Sequence, residues 1–194
     1  MKAVLSIDHT GKPRRPRDLG AIAGGLSELD YTSLYAFRAL IYAHTKDRDL
    51  SVMVMSSGEY SDRWAKADEW GASVYISCHA NAGGGNRGEV FYDHRTTPSN
   101  GLELSRFVAK RLEKRVDWPV NHLAAEPDSR ALACIRGVKA VALVYEPVFI
   151  DGPLGPETVN YCEDYARALV DGISDWRARP LRSLGRPYNT RAGD

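Results

Sequence analysis

The sequence is poor in cysteine, and what it has cannot tie a fold together. Cys78, Cys134 and Cys162 are three residues in 194, odd in number, widely spaced and without a C-x-x-C pair. That excludes a disulfide framework and a cysteine-rich zinc site, and a reducing compartment is the expectation. Long hydrophobic runs are also missing: none approaches the roughly 18 to 20 residues a membrane span needs, so no membrane insertion is expected. Met1-Lys2 followed by AVLSI is too short for the apolar core of a signal peptide, and synthesis in the cytoplasm without one is expected. Neither sign of charge dominates. With 26 Lys+Arg against 25 Asp+Glu, the formal net charge of +1 gives no bias toward nucleic acid or an anionic surface.

What is present suits one globular domain: 43% apolar and 26% charged residues. The runs AVLSI (3–7), LSVMVM (50–55), SVYISC (73–78), GEVFYDH (88–94), ALACIR (131–136) and KAVALVY (139–145) read as six strands. Helical spacing appears from about Glu28 to Ala43, with Tyr31, Leu34, Phe37 and Ile41 on one face. It recurs from Ser61 to Trp70, from Ser99-Asn100 through Leu112, and from near Pro156 to Trp176. Strands alternating with helices predict a single α/β domain, a mostly parallel twisted sheet of about six strands with helices on both faces. Residues 1–177 form this domain; from 178 the sequence ARPLRSLGRPYNTRAGD loses periodicity and reads as a surface tail containing Arg and Pro.

Ligands of open parallel sheets gather at the carboxyl ends of the strands. Here AVLSI runs into Asp8-His9, SVYIS into Cys78-His79, and AVALVY into Glu146, while Glu28 opens the first helix. Two imidazoles and one carboxylate make a catalytic type of zinc set with a fourth position for water, and a second carboxylate then serves as base. Spacing alone leaves Glu28, Glu146 and Asp30 open as the acidic ligand, and an acid at a helix start commonly serves as a cap. His44 falls on the apolar side of the first helix near its end; His94 and His122 fall in loops without a partner at ligand spacing. Cys78 alternates with His79 along a strand, so it points to the opposite face and reads as a core residue. Gly83, Gly85 and Gly88 spell G-x-G-x-x-G, but they lead into a strand, not a helix, which removes the dinucleotide reading and leaves a flexible loop beside the site.

In order along the chain, SIDHTG with its glycine-bearing loop and acidic helix start, DRWAKADEWGASVYISCHANA, and AVALVYEPVFI resemble the zinc-dependent N-acetylmuramoyl-L-alanine amidases of the Amidase_3 type. The resemblance spans about residues 3 to 170. It implies one Zn2+ held by His9, Glu28 and His79, with Glu146 as the catalytic glutamate. It further implies hydrolysis of the amide between N-acetylmuramic acid and L-alanine in peptidoglycan. A phage endolysin-like enzyme without a nucleic-acid partner and acting on the cell wall after release is the expectation; the sequence does not fix the oligomeric state, and a monomer is favoured. The chain departs from the family pattern where Asp8 directly precedes His9, where Asp151 stands in place of a common Asn, and where Arg63 and Asp68 keep part of an R-x-x-x-A-N segment. Two further readings share these residues: a zinc peptidase or other deacylase, and a wall-binding protein without catalysis.

Overall fold

The first apolar run forms β1 (Lys2–Ile7), and its side chains divide between two cores: Ala3, Leu5 and Ile7 enter one, Val4 the other. This is the period-two alternation of a strand covered on both faces. The computed structural model describes residues 1–10, 12–15, 18–95, 98–127 and 129–179. After β1 come a small hairpin, β2 (Ile22–Ala23) and β3 (Leu26–Ser27), then α1 (Glu28–Lys46), β4 (Ser51–Met55), α2 (Tyr60–Trp70), β5 (Val74–Cys78) and β6 (Gly88–Tyr92). They are followed by α3 (Pro98–Glu113), β7 (Val120–Ala124), α4 (Arg130–Ile135), β8 (Val141–Glu146), a 3-10 segment (Gly155–Tyr161) and α5 (Cys162–Ala178).

The main sheet has the order β4-β1-β5-β8-β6-β7. Its strands β4, β1, β5 and β8 run parallel; β6 is antiparallel to β8 and carries β7 parallel to itself. Helices α1, α3 and α5 build the core on one face, α2 and α4 the core on the other. The expected α/β domain with a mostly parallel six-stranded sheet is what the chain forms. Among the described residues no helix is long and apolar enough to cross a membrane.

Four local expectations are corrected. ALACIR forms most of α4, not a strand: Ser129 Oγ accepts from Leu132 N at 3.1 Å and caps the turn. Leu132 and Ile135, three residues apart, face the core; periodicity cannot separate helix from strand in so short a run. The sixth strand is instead β7, VNHLA, an exposed edge without apolar alternation, which places His122 in a strand and not a loop. On α1 the buried apolar residues are Tyr31, Tyr35, Ala36, Ala39 and Ala43, whereas Phe37 and Ile41 are 48% and 65% exposed, and His44 is exposed with them. Small alanines let the helix approach the sheet and α5 closely, and that decided the face. Finally, α5 is preceded by the 3-10 segment and continues to Ala178. Arg179, the first arginine of the expected tail, pairs with Glu103 at 2.8 Å and stacks over Trp176 at 4.1 Å. The rest of that tail, 180–194, lies outside the described residues.

Candidate active site

Parallel pairing with Ile7 beside Cys78 and Cys78 beside Tyr145 brings three strand ends to one rim. The next residues along each chain segment, Asp8-His9, His79 and Glu146, therefore emerge together. Helix α1 begins at the same rim. Ser27 Oγ accepts from Asp30 N at 3.2 Å and Asp30 Oδ2 accepts from Ser27 N at 2.7 Å. This reciprocal cap occupies Asp30 and leaves Glu28 to turn inward. Gly20, at φ +70°, lets the preceding loop pass so close that a Cβ would fall 2.4 Å from Glu28 Oε2.

Donor atoms of His9, Glu28 and His79 all lie within 4.8 Å of one another. Glu28 Oε2 is 3.2 Å from His9 Nε2, and its Oε1 is 2.8 Å from His79 Nδ1. The two rings meet edge to face at 5.2 Å. Each imidazole has a further carboxylate behind it: Asp18 Oδ1 lies 3.0 Å from His9 Nδ1, and Asp8 Oδ2 lies 3.0 Å from His79 Nε2. Such outer carboxylates select which ring nitrogen faces inward. Asp8 is fully buried and also accepts from Ser6 Oγ, Ser77 Oγ and the Arg63 guanidinium. Arg63, itself fully buried, donates to the carbonyls of Ile7, Thr10 and Gly58, which pins the segment carrying His9.

Charge follows from this packing. Burial acts to raise the acids, but hydrogen bonds and attraction from His79 hold Asp8 below its ordinary value, and His79 and His9 do the same to Glu28. Burial works against the imidazolium forms, yet Asp8, Cys134 and Glu28 raise His79 well above 6.5, and Glu28 and Asp18 raise His9. Glu146 behaves differently. Desolvation of its carboxyl, opposed by His79 and reinforced by the negative charges of Glu28 and Glu89, pushes it up to about 7. Glu89 stands opposite Glu146 in the antiparallel β6–β8 pair, held by Asn81 Nδ2 at 2.7 Å and Arg87 Nε at 2.6 Å.

His9, Glu28, His79 and Glu146 line one cleft together with Tyr60 and Cys134; His44, His94 and His122 do not line it. Cys78 is a buried core thiol pushed up to about 12 by desolvation. Gly88 opens strand β6, and the glycine loop before it is tied to the rim by Asp151, whose carboxylate accepts from Gly83 N at 2.8 Å and Gly84 N at 3.0 Å. Sequence reading did not single out Asp18, Glu89, Tyr60 or Cys134. Their places depend on a loop path, on the reversed direction of β6, and on the docking of α2 and α4, none of which has a local signature.

The sequence profile of the N-acetylmuramoyl-L-alanine amidases designated Amidase_3 matches residues 4–175. The chain belongs to that family. Solved structures of amidases and of an endolysin catalytic domain share its fold. N-acetylmuramoyl-L-alanine amidase AmiC2 of Nostoc punctiforme superposes with a TM-score of 0.77 at 20% identity, over 92% of this chain and 98% of that one. The catalytic domain of the CwlV amidase from Bacillus (Paenibacillus) polymyxa gives 0.74 at 18%, over 91% and 97%. The catalytic domain of the CD27L endolysin targeting Clostridia difficile gives 0.69 at 18%, over 90% and 97%. No curated protein matches this amidase-family chain.

Proposed function

We propose that the chain is a peptidoglycan hydrolase that cleaves the amide between N-acetylmuramic acid and L-alanine, with one zinc ion held by His9, Glu28 and His79 and with Glu146 as its base. The observation that carries this reading is the convergence of two imidazoles on one buried carboxylate, each imidazole backed by a second carboxylate. That donor set fits zinc: nitrogen and oxygen atoms from three side chains, their other ring nitrogens already engaged. When bound, zinc supplies Lewis-acid polarisation of a carbonyl and lowers the pKa of a water toward about 7. Asp18 and Asp8 hold His9 and His79 with Nε2 and Nδ1 turned toward Glu28. Glu146, poised at about 7 on the cleft wall, takes a proton from the attacking water and returns it to the amide nitrogen. Nitrogen leaves poorly without that proton, so both transfers belong to one residue. A lytic role in a phage, with the protein made in the cytoplasm and acting on the wall after release, is part of the same proposal.

The test is Glu146→Gln. Turnover is expected to fall by about 10²–10⁴-fold with zinc content unchanged, as loss of a general base and acid requires. Mass spectrometry of wild-type digests of sacculi should find new free L-alanine amino groups. A variant that keeps zinc and full lytic activity overturns the role of Glu146, and other new termini favour the peptidase or deacylase reading.

A further inference from the structure

The zinc set above uses one nitrogen of His79, and the other faces a second group of ligand atoms. His79 Nε2 lies 3.0 Å from Asp8 Oδ2 and 3.5 Å from Cys134 Sγ. One donor atom from each of Asp8, His79 and Cys134 lies within 4.8 Å of the others, and all three side chains are buried. The spacing suits an ion: a tetrahedral centre with Zn–N of about 2.0–2.1 Å and Zn–S of about 2.3 Å holds the two atoms about 3.5 Å apart. Its thiolate makes this set softer than the one built on Glu28. Cys134 comes from α4, reaches the same cleft as His9 and Glu28, and has no part in the proposed hydrolysis.

We propose that Asp8, His79 Nε2 and Cys134 form a second, inhibitory position for a borderline or soft divalent cation such as zinc, cobalt or cadmium. The ion replaces the proton on Nε2 and the thiol proton of Cys134, releasing two protons. It thereby removes the Nε2–H···Asp8 hydrogen bond that aims Nδ1 at Glu28, so filling this position disturbs the first. The inference rests on assigning the first ion to His9, Glu28 and His79. The alternative is a packed thiol, for which the contacts to Arg130 O at 3.1 Å and the Tyr60 hydroxyl at 3.3 Å suffice.

Cobalt titration of the metal-stripped full chain tests it, because a thiolate bound to Co2+ adds a charge-transfer band in the near ultraviolet. The first equivalent is expected to bind without that band. The second should produce it in the wild type, and Cys134→Ser and Cys134→Ala should lack it. Zinc beyond one equivalent should slow wild-type hydrolysis by about tenfold or more, the low end of the 10–100-fold cost of losing a ligand's outer partner, and leave Cys134→Ser unaffected. No thiolate band at several equivalents, or a band that survives in both variants, overturns the proposal. A thiolate band already at the first equivalent, lost in the variants, instead overturns the assignment of the first ion and leaves the Cys134 position standing.

Discussion

Asp18 touches nothing that reacts, yet it holds the outer nitrogen of His9 at 3.0 Å and so presents the inner one to Glu28. Asp18→Asn keeps the shape and removes the charge. Zinc affinity is expected to fall by about 10–100-fold with the fold unchanged, measured by chelator competition alongside circular dichroism. Protons compete with the metal for the same atoms. Because His9 and His79 are raised above 6.5 in the metal-free protein, zinc affinity should weaken as pH falls through those raised values, earlier than for free imidazoles. Stability of the metal-free protein runs the other way. A histidine with a raised folded pKa stabilises fully below its unfolded value, and the gain is lost as pH rises through the folded one. Glu146, raised to about 7, contributes with the same sign, losing its contribution between its ordinary 4.5 and that value. Calorimetry from about pH 6 to 9 should therefore show the melting temperature of the metal-free protein falling while its gap to the zinc-loaded protein widens.

At the scale of elements, the active rim is the meeting of parallel strand ends with one helix start, so whatever supports those elements supports the site. The reciprocal cap of Ser27 and Asp30 separates the two acids of α1, one for the helix and one for the cleft. Far from the rim, α5 crosses α3 where a Cβ on Gly172 would fall 2.7 Å from Val108 Cα. Alanine at 172 would gain about 1 kcal/mol of helix propensity, but overpacking against backbone costs about 1–3 kcal/mol. The neighbour is a main-chain atom that cannot rotate away, so the cost should win. Gly172→Ala is expected to lower the denaturation midpoint while the folded fraction keeps its specific activity.

Across the whole molecule, Arg63 joins parts that are distant in sequence. Its guanidinium, from α2, binds the end of β1, the turn at Gly58 and the Asp8 carboxylate, with no exposed surface. Removing one member of such a buried pair leaves the other charge without compensation, at a cost of about 3–5 kcal/mol. Arg63→Ala should show that loss in denaturant unfolding of the metal-free protein, and zinc affinity should fall with it because the segment carrying His9 is released. An unchanged midpoint would mean that Ser6 and Ser77 alone suffice to hold Asp8.

The positions of His9, His79 and Glu146 were legible as strand ends, since parallel strands must bring their carboxyl ends to one edge whatever the details of packing. The alternation of strand and helix was legible too, because burial imposes periods of two and 3.6 on the side chains. Spacing left Glu28 as one of three acids and the family resemblance singled it out; what the structure adds is the cap that engages Asp30. Other features depend on contacts between segments far apart in the chain: the reversal of β6 that sets Glu89 beside Glu146, the loop path that sets Asp18 behind His9, and the docking of α4 that brings Cys134 to His79. Local periodicity records which face of an element is buried, but neither the direction of a neighbouring strand nor the identity of the residue across the gap. Those were decided by the tertiary structure, and they determine which ring nitrogen faces Glu28 and which carboxyl is raised to about 7.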